Sequence, residues 1–131
     1  MTSFQEIEII LARQLSEYLT LAIFIVDPDG NLIFYNEPAE TILGARYEET
    51  GPMSAQTWAS IFQPVDPNGN PLDPESLPLI IALTKKRPAH SIFWIRSLDR
   101  KSRRIEVFAI PLNAQADRFV GAIAMFWEQD E

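Results

Sequence analysis

Residues 22–44 read AIFIVDPDGNLIFYNEPAETILG, and the order of signals within them decides the fold. β-Branched and aromatic residues dominate Ala22–Asp27 and Asn31–Asn36, which marks both runs as strands. Between them, Asp-Pro-Asp-Gly supplies proline at a turn position and glycine where φ must be positive, so the two strands form a hairpin. Asn36 is a good N-cap, Pro38 is tolerated in a first helical turn, and Gly44 stands where a left-handed C-cap belongs. The sequence therefore predicts a short helix over Glu37–Leu43. A hairpin feeding a capped helix opens a small α/β module.

Upstream, Phe4, Ile7, Leu11, Leu15 and Tyr18 recur at spacings of three and four, with Ile10 and Leu19 widening the stripe. This predicts an amphipathic helix within residues 1–19, started by a capping box of Ser3 and Glu6. Its stripe is wide enough to cover a sheet and to meet a second copy, and those five residues are the candidate dimer interface. Downstream, Ser54–Phe62 carries Trp58, Ile61 and Phe62 at helical spacing, after a polar connection that includes Gly51-Pro52. Prolines from Pro64 to Pro78, with an Asn-Gly step and two Asp-Pro steps among them, make residues 63–76 a rigid loop within one domain. Leu77–Lys85 is a third helix of the domain, with Leu77, Ile80, Ile81 and Thr84 on one side and basic Lys85, Lys86 and Arg87 at its negative end. Pro78 fixes its start near Ser76, because proline breaks a helix interior.

Three strand-like runs close the chain, Ser91–Ser97, Arg104–Leu112 and Phe119–Trp127, separated by polar turns. They are expected to be adjacent and antiparallel. The last run, FVGAIAMFW, lacks the alternation of a strand with one wet face. Its two faces are expected to be covered, one by the core and the other by the N-terminal helix or a partner subunit.

Composition bounds the function. A chain of 131 residues, 47% hydrophobic, has the size of one domain with one substantial core. It divides into the helix of residues 1–19 and a domain of residues 20–131. No cysteine is present, which excludes disulfides, thiolate metal sites, a cysteine nucleophile and any cysteine-linked chromophore. No apolar run reaches the roughly 20 residues that span a bilayer, and MTSFQEIEII lacks the basic start of a signal peptide, so no membrane contact and a cytoplasmic location are expected. A net charge of −7 repels phosphates, and the basic clusters Lys85–Arg87 and Arg100–Arg104 are short and separate, so nucleic acid is not an expected partner.

The chain resembles a PAS domain, a sensory module of signalling proteins, over about residues 18–128. IFIVDPDGNLIFYNEPAETILG is similar to that family's opening, a D-x-x-G-x-I-x-x-x-N hairpin leading into A-x-x-x-x-G. DPNGNPLDPESLPLIIAL resembles the proline-rich D-G-x-P-L segment before the long helix of many bacterial members. RRIEVFAIPL followed by DRFVGAIAMFWE resembles the last two strands. One departure stands out: Glu128-Gln129-Asp130 replaces the Asp-Ile-Thr-like triplet that couples such domains to an outgoing helix. The resemblance implies an α+β fold, a five-stranded antiparallel sheet with short helices on one face and an N-terminal amphipathic helix. It also implies a regulatory sensor that binds a small ligand between sheet and helices or forms a homodimer, and that acts on an effector domain of a longer parent or a partner protein.

Trp58, Phe62, Ile80, Leu83, Thr84, Phe93, Ile95, Phe108 and Phe126 are the candidate lining of an apolar pocket. The competing reading is that these side chains simply fill the core. Which ligand enters is unknown from sequence. His90, the only histidine, is the one possible imidazole ligand for haem, but it follows Pro88 at a strand entry and not on the long helix where haem-binding relatives carry theirs, so haem is not expected. Flavin photochemistry through a cysteine adduct is excluded by composition. Asp27, Asp29 and Asn31 are explained by turn chemistry and lack the spacing of a calcium loop. Glu106 is the best candidate for a buried catalytic acid, although its strand position favours a solvent-facing or ion-paired group. No catalysis is expected. The alternatives to a sensor are a ligand-free dimerisation module and a small isomerase-like enzyme.

Overall fold

The computed structural model describes residues 7–129. Along the chain run α1 (Ile7–Ser16), β1 (Ala22–Val26), β2 (Leu32–Tyr35), α2 (Glu37–Leu43), α3 (Tyr47–Thr50), α4 (Ala55–Phe62), α5 (Pro78–Lys85), β3 (Ala89–Arg96), β4 (Ser102–Asn113) and β5 (Phe119–Glu128). The strands form one sheet in the order β2-β1-β5-β4-β3, and every neighbouring pair is antiparallel. The first and last strands therefore meet at the centre of the sheet. Helices α2 to α5 pack on one face and α1 on the other. The expected α+β architecture is present; Phe4, the Ser3 and Glu6 pair and Asp130 lie outside the described residues.

Local chemistry builds the opening as its residues predict. Asp27 Oδ1 accepts from the amides of Asp29 and Asn31 at 2.9 Å each, and Gly30 takes a φ of 86° to close the turn. The same device recurs at residues 66–70: Asp66 Oδ1 accepts from Asn68 and Asn70, and Gly69 has a φ of 84°. That second turn folds the proline-rich loop back on itself, and Val65 pairs with both Pro71 and Trp94, which ties the loop to β3. The polar connection before α4 contains one short helix, α3, that periodicity alone does not announce.

Asn36 does more than cap α2. Its Oδ1 accepts from Ala39 N at 3.2 Å and from Ile23 N at 2.9 Å, while Nδ2 donates to the carbonyls of Ser16 at 2.8 Å and Leu21 at 2.9 Å. One buried amide thus fastens α2, β1 and the end of α1 together, with its oxygen and both N–H groups paired.

The N-terminal helix settles on the sheet through a face other than its main apolar stripe. Ile9, with Ala12 beside it, packs on Ile23, Ile25 and Val120, and the Arg13 guanidinium lies 4.5 Å above the Phe34 ring. Ile7, Leu11, Leu15 and Tyr18 remain exposed. The sheet takes a narrow face of small and mixed residues, and the Ser16 carbonyl at the end of the helix accepts from Asn36 Nδ2.

Candidate functional site

On the inner face of the sheet, pairing register aligns Phe93 with Ile105, Val107 with Phe126, and Phe24 with Ala124. Opposite them stand Trp58 and Phe62 from α4, Leu43 from α2, and Leu77, Pro78 and Leu79 at the start of α5. Together with Pro64 and Ile95 they line a cavity of about 80 Å³ that is partly open to solvent and lined only by apolar atoms. Phe24 organises the aromatic wall: its ring meets Trp58 edge-on at 5.4 Å and Phe62 edge-on at 6.5 Å, and stacks on Tyr35 at 6.0 Å. Such pairs add to the stabilisation from area burial alone. The indole N–H of Trp58 donates to Gly30 O at 2.8 Å, so it is consumed by the hairpin turn and leaves the cavity without a donor.

The outer face of the sheet carries a different group. His90 Nε2 pairs with Glu106 Oε2, Gln129 Nε2 donates to Glu106 Oε1, and the His90 ring lies 4.7 Å from that of Phe108. Glu106 is therefore paired at the surface, on the side of the sheet away from the cavity, as its strand position predicts. Ile92 and Phe108 flank this group and are each 42% exposed. Helix α1 covers β1 and neighbouring parts of β2 and β5 but leaves this part of the outer face open. Among the described residues no group of three or more His, Asp or Glu side chains could hold a metal ion, and no helix is long and apolar enough to cross a membrane.

Comparison with known proteins bears on this geometry. No family model matches the sequence, and no curated protein matches it. Solved structures do. The PAS domain of a protein from Colwellia psychrerythraea is 20% identical and superposes with a TM-score of 0.66, covering 92% of this chain and 96% of that one. The PAS domain of nitrogen regulation protein NR(II) from Vibrio parahaemolyticus is 16% identical with a TM-score of 0.63, over 91% of this chain and 98% of that one.

The chain has the PAS fold.

A LOV protein from Rhodobacter sphaeroides, 15% identical, superposes with a TM-score of 0.75 over 96% of this chain and 70% of that one. Within the PAS fold, five of the candidate pocket residues, Trp58, Phe62, Phe93, Ile95 and Phe126, do line the cavity. Four do not. Phe108 belongs to the outer face, since it follows the inward Val107 and side chains alternate along a strand. Thr84 is exposed, its hydroxyl donating to Ile80 O at 2.8 Å. Ile80 sits half-buried at the edge of the core, and buried Leu83 packs by the Gly30 turn. The cavity meets the N-terminal end of α5 and not its middle. Nine lining residues were missed from the sequence, Phe24, Leu43, Ile105, Val107 and Ala124 together with Pro64 after α4 and Leu77, Pro78 and Leu79 around the start of α5. In β1 every residue is buried, so alternation could not assign Phe24 to a face. For Ile105 and Val107 the signal was available: they share a face with Ala109 and oppose Phe93 and Phe126.

Proposed function

We propose that this domain is the sensory and pairing module of a signalling protein: a cytoplasmic homodimer that passes a change in cavity occupancy or pairing to an output domain on a longer parent or a partner. The observation that carries the reading is the apolar stripe on the free side of α1, where Ile7, Leu11 and Leu15 are 65%, 56% and 61% exposed. Contiguous exposed apolar surface marks interaction sites, and burying it against a second copy gains about 25 cal/mol per Å². The uncovered outer surface around Ile92 and Phe108 extends the same face of the molecule beyond α1.

The mechanism is a population shift. Helix α1 holds the sheet through Ile9 and the Ser16–Asn36 bond while presenting its stripe to the partner, so it belongs to both the core and the interface. A ligand that favours one packing of sheet and helices biases the arrangement of the pair by its differential affinity. The role is regulatory and not catalytic. In support, the best candidate acid, Glu106, is paired with His90 and Gln129 outside the cavity. A covalent flavin has no cysteine to bond with, and the apolar cavity offers nothing to the polar edge of a flavin or to haem iron; neither group fits.

Sedimentation velocity of the double variant Leu11→Glu, Leu15→Glu tests the pairing. Both residues are exposed, so the fold should persist while the protein sediments as a monomer. A double variant that still sediments as a dimer removes α1 from the interface.

A further inference from the structure

We infer that the cavity between sheet and helices takes a small non-polar molecule, the size of a dissolved gas or a short hydrocarbon, recognised by shape alone. This rests on the sensory reading and specifies its ligand class. Each of the 14 lining residues is apolar, and no polar atom faces the space. The one lining side chain with a polar group, Trp58, has its indole N–H engaged on Gly30 O, and the hydroxyl of Tyr35, which stacks on the lining Phe24, is engaged on Ala45 O at 2.9 Å. A charged or hydrogen-bonding ligand entering here would shed its water and find no replacement partner. Water gains no hydrogen-bond partner from this lining either.

Size sharpens the class. An engineered cavity of roughly 150 Å³ lined by Leu, Ile and Phe binds benzene or xenon. At about 80 Å³ the present cavity suits xenon, or a chain of a few carbons, better than an aromatic ring. It is far below the several hundred Å³ of drug-sized sites. Of the lining residues only Pro64 is half-buried, the rest being buried, so the way in runs past Pro64 on the loop after α4. One small residue makes the room: Ala124, which pairs with Phe24 on one side and Ala109 on the other at the centre of the inner face.

Methyl-resolved NMR of the full chain under xenon pressure tests this. Saturable shifts are expected at the methyls of Ile95, Ile105 and Val107, with those of the outward Ile25 and Ile123 unmoved. Ala124→Leu should fill the space and abolish the response. If that variant does not fold, the contrast between inner and outer methyls in the natural protein still decides. Acetate, of similar size but charged, should shift none of them. Absence of a saturable inner-face shift overturns the inference, as does an equal response to acetate. Dimer mass measured on the same sample separates the two readings: a dimer without xenon binding removes the ligand class only, whereas a monomer removes the pairing role.

Discussion

Asn36 Nδ2 donates to the Ser16 carbonyl at 2.8 Å, and this one bond joins the last turn of the N-terminal helix to the first turn of α2 across the edge of the sheet. Because the same side chain also holds Ile23 N, Leu21 O and Ala39 N, removing it orphans several buried groups at once. Asn36→Ala should lower unfolding free energy by about 2–4 kcal/mol in urea titration. Amide exchange in residues 9–16 should accelerate more than in β3 and β4. Equal acceleration everywhere would deny the residue its special hold on α1.

Two glycines with positive φ should respond very differently to alanine. At Gly121, with φ 140°, an added Cβ would run into the Val26 carbonyl of the neighbouring strand, whereas at Gly69, with φ 84°, it meets nothing within 4 Å. Gly69→Ala should cost about 1 kcal/mol from backbone strain alone, and Gly121→Ala more than about 3 kcal/mol because β1 and β5 must part. Thermal melts of the two variants give the comparison; similar losses would mean that strand approach at Gly121 is looser than described.

Phe108 and Phe126 resemble each other in sequence context but lie on opposite faces of the sheet. Phe126→Ala should destabilise by about 3–5 kcal/mol, and Phe108→Ala, 42% exposed, by less than about 1 kcal/mol. The Phe108 variant should instead weaken self-association in sedimentation. A large stability loss at Phe108 would contradict its place on the outer surface.

Stability should fall at both ends of the pH scale for separate reasons. The Arg103 guanidinium, bonded to both Asp99 oxygens at 2.9 Å, holds that carboxyl down to about 2. A carboxyl lowered by folding contributes stability above its unfolded value of 3.8, and that contribution disappears as pH falls toward about 2. Arg103→Leu should flatten this acid limb. Burial raises the Tyr35 and Tyr47 hydroxyls above 10, so their contribution is complete below pH 10 and is lost as pH rises through the raised values. Tyr47→Phe should soften the alkaline limb. Urea midpoints measured across pH would reveal both; an acid limb unchanged in Arg103→Leu would deny the pair its role.

The parts of the fold legible in the sequence are those set by neighbours in the chain. Asp27 to Gly44 carries its own turn, N-cap and C-cap, and each acts within a few residues. The rotation of α1 was not legible. Its apolar stripe through Ile7, Leu11 and Leu15 is plain in the sequence, yet the sheet receives Ile9 and Ala12, and the end of the helix is held by a distant amide at Asn36 that no local pattern announces. The cavity was half legible for the same reason. Aromatic residues announce a core, but which of them bound an empty space depends on strand register, and a shift of one residue moved Phe108 to the other side. Ala124 carries no signal at all as a sequence letter; its importance comes from being small where its neighbours are large.

Native mass spectrometry of the freshly purified full chain reads the pairing of two copies without intermediary. A species of two chains, twice 14.9 kDa, is expected at micromolar concentration. A spectrum holding only single chains at that concentration would rule the homodimer out.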